Sequence, residues 1–316
     1  MVGISEAFAQ LYSPGLVRVK KAAPEGVRSW LTHGVYRPVV SDNQLVLTGT
    51  DWENYLSCVA HDVNRLAMAG HETICSISEV QGLPKSTPWS LIKAYYAAFY
   101  YSQVIMRLCR QWPTYFSTLE LRPLEKICII YGVHPPSPLT TGQFFIQSND
   151  LEKQLSISKP NNGTATHETM WSEMNKLIDR ASQIVEASTY GENERKQIQA
   201  ELKNMKTALN ASTFSKPWLS SLRNDVQYAQ KMGVWHPYKG TINSELVQRR
   251  VELLLAARTN TDTFSIKATR ESERFLECCL LICHAARAFI DLVSKDEKQS
   301  FLHHGVGKLE KISSRA

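Results

Sequence analysis

The chain has no paired cysteines. Its 7 cysteines, Cys58, Cys75, Cys109, Cys128, Cys278, Cys279 and Cys283, lie mostly in apolar runs and lack the short paired spacing of a structural zinc site. They read as reduced core residues. Cys279 and Cys283 fall one helical turn apart beside His284, but no second cluster completes a coordination shell, so no metal is expected. A glycine-rich phosphate loop, a nucleophile elbow and a histidine pair suited to metal are missing as well, which leaves little support for a small-molecule enzyme and no cofactor to expect. There is no uninterrupted apolar span either: the stretch from Phe275 to Leu292 is broken by Glu277, His284 and Arg287, so no membrane association is expected. With no basic-then-apolar leader at the N-terminus, a cytoplasmic location follows. No repeat of solenoid length is evident.

What is present is an ordinary globular composition. The 316 residues are 43% hydrophobic and 21% charged, enough to bury a substantial core without staples. A net charge of +6 mildly favours an anionic partner.

Two β-rich runs, Val35 to Val40 and Gln44 to Thr48, flank Ser41, Asp42 and Asn43 and predict a hairpin that Pro38 confines to an edge. Thr50 and Glu53 suggest a capping box, after which Trp52, Tyr55, Leu56, Val59, Val63 and Leu66 recur at helical spacing until Gly70, the expected stop. A second helix is expected from Trp89 to Arg110, with Thr87 as cap and Pro88 in its first turn. It carries Tyr95, Tyr96, Phe99, Tyr100 and Tyr101 among Ala94, Ala97 and Ala98. These rings read as a bundle core with hydroxyls at its rim. The alternative is a base-stacking platform, for which only Lys93 and Arg107 supply basic neighbours.

Residues 134–166 read as a linker or excursion bearing a strand-like run, Gln143 to Gln147. Beyond it, Met170 to Val185 and Ile198 to Leu209 predict an antiparallel helix pair joined near Gly191. A short helix opens at Pro217, buries Trp218, Leu222 and Val226, and closes at Gly233; helices over Leu246 to Ala257 and about Thr269 to Val293 follow. The expected fold class is mainly α, a multi-helix bundle with a small N-terminal α/β appendage. The expected regions are 1–82 for the appendage, 83–300 for the bundle and 301–316 for a tail.

The alanine and tyrosine helix, the long antiparallel helices after it and Arg223-Asn224 on a short later helix together resemble the HEPN superfamily. The resemblance implies helical bundles, often dimeric, acting in toxin-antitoxin or antiphage systems. It also implies metal-independent RNA cleavage where an Arg is followed after four to six residues by His. Here Tyr228 occupies the histidine position. Metal-free cleavage needs a base, an acid and a cation at the phosphorane. Arg223 supplies the cation, because its planar fork suits phosphate, whereas a tyrosine hydroxyl, with a reference pKa of about 10, is a poor base near neutrality.

The candidate catalytic residues are therefore Arg223, Asn224, Tyr228 and His236, the last able to swing back from the following loop. Gln227, Lys231, Trp235, Tyr238 and Lys239 are the candidate RNA contacts. Helical spacing sets Arg223, Asn224, Gln227 and Tyr228 opposite Trp218, Leu222 and Val226, on a side that faces solvent, a partner or a cleft. Arg28 with His33 and Arg65 with His71 match the motif spacing too. A chain with 9 histidines yields such matches at random, and both read as decoys.

The expected function is an RNA-directed HEPN-like protein, a metal-independent endoribonuclease or an inactivated relative, probing RNA as a homodimer or with a protein partner. The alternative is a non-catalytic helical subunit that mediates protein assembly.

Overall fold

The structure is a computed structural model that describes residues 3–78, 86–160, 166–210, 218–235, 244–256, 268, 270–296 and 299–308. Among these the chain runs through α1 (Ile4–Ala9), α2 (Pro14–Val17) and α3 (Val27–His33), then strands β1 (Tyr36–Ser41) and β2 (Gln44–Gly49). Next come α4 (Trp52–Ser78), α5 (Thr87–Leu108), β3 (Gln111–Phe116), α6 (Thr118–Ile130), β4 (Gly142–Asn149) and β5 (Gln154–Ser158). The remainder is helical: α7 (Thr166–Glu186), α8 (Glu192–Leu209), α9 (Trp218–Gln227), α10 (Ser244–Ala256), α11 (Glu271–Asp296) and α12 (Phe301–His304). The protein is mainly α, with one small antiparallel sheet.

The hairpin forms where the turn residues demand it. Asp42 and Asn43 take φ of 48° and 59°, the left-handed pair that a two-residue turn requires and that Asp and Asn tolerate. Pro38 lies on β1, an edge of the order β1-β2-β5-β4-β3. The stretch expected as a linker or excursion carries its strand-like run, Gln143 to Gln147, within β4 and adds a strand that was not expected, β5. It supplies β4 and β5, and Leu47 of β2 stands opposite Leu155 of β5, so the hairpin is completed from far along the chain. In β4 the alternation is visible, with Phe144 and Ile146 buried; β5 gives a weaker signal because it is short and polar at three of its five positions.

Helix α4 runs through Gly70 to Ser78, and His71 is helical rather than outside the helix. Gly70 serves packing: a Cβ there would meet the Tyr101 ring at 3.0 Å, so the missing side chain lets α4 lie close against α5. Helix α5 is the axis of the bundle, with Leu91, Ala94, Tyr95, Ala98, Tyr101 and Val104 fully buried against α4 and α11. Its cap is shifted by one, since Thr87 is already helical and follows Ser86.

Helices α1 and α12 join the same core. Phe8 of α1 packs on Phe289 of α11 at 5.8 Å, and Phe301 donates its N–H to the Val19 carbonyl at 2.9 Å, with Phe301 and Leu302 buried. Helices α7 and α8 fold back as the expected antiparallel pair, tied by Ser182 Oγ donating to Gln199 Oε1 at 2.6 Å and by the Lys206–Asp179 ion pair. No helix is long and apolar enough to cross a membrane among the described residues.

Candidate functional site: a buried arginine among tyrosines

Helix α9 is short and is held from outside itself. Trp218 Nε1 donates to the Ala208 carbonyl at 2.8 Å and its ring meets Phe275 edge-on at 6.2 Å. Leu219, Leu222 and Val226 complete the buried stripe. The helix stops at Gln227, earlier than Gly233; Gln230, Met232 and Gly233 then take positive φ in the turns that follow.

Of the three settings that helical spacing left for the Arg223 side (solvent, a partner or a cleft), open solvent does not apply to Arg223 itself. It is only 7% exposed, and its guanidinium carbon stands 5.6 Å from the Tyr95 ring, 5.9 Å from Tyr96 and 5.7 Å from Tyr228. The reason is local chemistry: a planar cation gains from aromatic faces, and α5 presents a dense row of them. Nη1 donates to Gln227 Oε1 at 3.3 Å and to Tyr228 Oη at 3.4 Å, both long. Nε has no hydrogen-bond partner, and no carboxylate lies within ion-pair reach of this guanidinium among the described residues.

The other candidates disperse around it. Tyr228 is 70% exposed, just beyond the helix, and offers one ring face to Arg223 and the other outward. Asn224 is exposed, and its backbone carbonyl accepts from the Tyr228 and Ala229 N–H groups. Gln227 is half-buried against Arg223. Lys231 is exposed and paired with Asp225 at 2.9 Å. Trp235 is half-buried, donates to the Val226 carbonyl at 2.7 Å, and meets Trp89, itself 50% exposed, edge-on at 6.0 Å. His236, Tyr238 and Lys239 lie outside the described residues.

An imidazole does stand at this site, although the motif does not point to it. His167, in the first turn of α7, packs on Phe99 at 4.5 Å, on Tyr95 at 5.7 Å and on Tyr96 at 6.1 Å. Its Nδ1 is 2.9 Å from Tyr95 Oη, which also accepts from Trp171 Nε1 at 3.1 Å. Burial first, and the Arg223 charge second, push the His167 pKa down to about 4. Burial likewise raises the Tyr95 hydroxyl well above its usual value. One signal could have found this residue: His167 and Trp171 are four apart, hence on one helix face, and Trp171 belongs to the buried stripe of α7.

Comparison with protein-family models, curated proteins and solved structures returns no match. The site must be judged on its own geometry.

That geometry is an unneutralised cation under a partly open aromatic rim. The tyrosines of α5 serve the core, with Tyr95 and Tyr101 fully buried. As a broad stacking platform α5 fails, because Lys93 Nζ is turned to the Ser76 carbonyl at 3.1 Å and Arg107 is buried beside Asp62. The decoys separate too: Arg65 pairs with Asp62 at 3.9 Å, and Arg28 with Glu120. No group of three or more potential metal ligands assembles among the described residues. A cleft of about 1000 Å³ between the sheet and α7, lined by Phe144, Ile157, Lys159, Glu173 and Arg180 among others, does not include Arg223.

Proposed function

We propose that the chain is an RNA-directed HEPN-like protein of the toxin-antitoxin or antiphage kind, and that it holds single-stranded RNA at Arg223. The observation that carries this reading is the buried guanidinium with no carboxylate partner among the described residues. Burying a charge without a counter-charge is costly, so such a group is poised for an anion that arrives from outside. A phosphodiester suits its planar fork. Tyr228, 70% exposed, stands beside it, and Trp89, 50% exposed, meets Trp235 of the turn after α9; both offer faces on which bases stack, a combination that recognises single strands with little sequence preference. The net charge of +6 adds long-range attraction.

The test is fluorescence anisotropy with a labelled single-stranded RNA oligonucleotide. Affinity should drop about tenfold or more in Arg223→Gln and weaken as salt rises. Equal affinity for wild type and Arg223→Gln would retire the reading.

A second reading, a non-catalytic subunit for protein assembly or a homodimer, is favoured by a different surface. Ile129, Ile130 and Tyr131, consecutive at the C-terminal end of α6, are 71%, 78% and 52% exposed, and neighbouring exposed apolar residues suit a protein partner. Sedimentation of the wild type and of Ile129→Asp distinguishes the two, since RNA affinity belongs to the first reading and assembly to the second.

A further inference from the structure

Resting on the RNA reading of Arg223, we propose that His167 is a fixed Nε2–H donor that grips the same phosphodiester as Arg223, so that the strand is held and not cut. Hydrogen-bond accounting carries the inference. The Trp171 indole N–H can only donate, so it occupies a lone pair of Tyr95 Oη. The Tyr95 side chain is fully buried, and the one acceptor within reach of its hydroxyl proton among the described residues is His167 Nδ1. A buried hydroxyl proton left without an acceptor is costly. Tyr95 therefore donates to Nδ1, and the imidazole proton resides on Nε2.

The same accounting disarms the ring as a catalyst. Its bare nitrogen is occupied by Tyr95, leaving no lone pair for a ribose hydroxyl proton. Burial and the neighbouring guanidinium keep the ring uncharged at neutral pH, so it has no labile proton for a leaving oxygen either. What remains is a neutral donor. It and Arg223 stand against the same two rings, Tyr95 and Tyr96, and the proposed phosphodiester bridges the two donors. Nε2 itself has no hydrogen-bond partner among the described residues.

The experiment uses the full chain with 15N-labelled histidine. Long-range proton–nitrogen correlation spectra should show His167 as the Nε2–H tautomer at neutral pH, turning to a mixture in Tyr95→Phe. In parallel, a labelled single-stranded RNA oligonucleotide in the presence of EDTA should bind and stay intact. His167→Ala should weaken binding about tenfold, while His167→Gln, whose amide N–H reaches a similar position, should retain most of it. An Nδ1–H tautomer with RNA still bound overturns this inference alone. RNA cut by the wild type, with cutting lost in His167→Ala or His236→Ala, overturns it as well. The expected tautomer with no RNA binding at all overturns the RNA reading and this inference together.

Discussion

Two arginines of this protein are buried to nearly the same degree and are treated in opposite ways. Arg107 on α5 is 8% exposed and Arg223 on α9 is 7% exposed. Arg107 lies 3.9 Å from Asp62, hydrogen-bonds Gln103 and covers the Trp112 ring at 5.3 Å. Asp62 is in turn held by the Val27 N–H at 3.4 Å and by Arg65 at 3.9 Å, so the charges close on themselves. Burial still pushes the Arg107 pKa down to about 10. Arg223 has rings in place of a carboxylate. The difference separates a cation that completes the fold from one left available to an outside anion.

Stability measurements strain this comparison hardest. Arg107→Met leaves Asp62 buried without its main partner and should cost about 3–5 kcal/mol in urea unfolding, whereas Arg223→Met, which keeps a polarisable chain against the rings, should stay within about 1 kcal/mol of wild type. Equal losses at the two positions would make Arg223 a structural residue and end its functional reading.

Acid should expose the Arg223 region next. His167 has a folded pKa of about 4, below the unfolded value, so the unfolded chain binds the extra proton first. Its contribution is fully present above about pH 6.5 and is lost as the pH falls toward 4. His284, also held near 4 by burial and then by Arg287, adds to the same slope. After discounting for solvent screening, the His167 share is roughly 1–2 kcal/mol. Thermal melts from pH 7 to pH 4 should therefore be less steep in His167→Gln than in wild type; identical slopes would show that His167 is not held neutral.

Smaller effects sharpen the picture at the rim. Tyr228→Ala should change stability by less than about 0.5 kcal/mol, because the ring is largely exposed, while RNA binding weakens by about 1–3 kcal/mol if a base stacks there. Lys231→Ala, at an exposed ion pair, should lower RNA affinity only slightly and uniformly across sequences, with a salt slope shallower by about one. A large loss at Lys231 with none at Tyr228 would move the contact surface away from the cage.

Much of the fold was readable because periodicity and turn chemistry agreed. The hairpin at Asp42-Asn43, the α7–α8 pair and the buried stripe of α9 each follow from local pattern. Other elements did not announce themselves. Gly70 looked like a stop and is a packing notch against Tyr101. Helix α6, capped by Ser117 and Glu120, carries Pro123 and exposed Leu119, Ile129 and Ile130, which blur an amphipathic signal. At the site, spacing placed Arg223 beside Gln227 and Tyr228, as they are found, but did not indicate the aromatic row of α5 that covers that side. Spacing knows which residues share a face, not what the neighbouring helix offers to that face.

By itself the sequence determined a mainly helical chain with a short hairpin, the helices that bear Tyr95 and Arg223, a helix from Met170 on, and the tyrosine at position 228. Only the tertiary structure decided that Tyr95, His167 and Arg223 meet, that Arg107 has a carboxylate and Arg223 has none within reach among the described residues, and that the imidazole of the site comes from α7. The physical reason is range. Helix and turn signals are written in residues a few positions apart, whereas the charge balance and proton placement of a buried site depend on groups brought together from distant helices by packing.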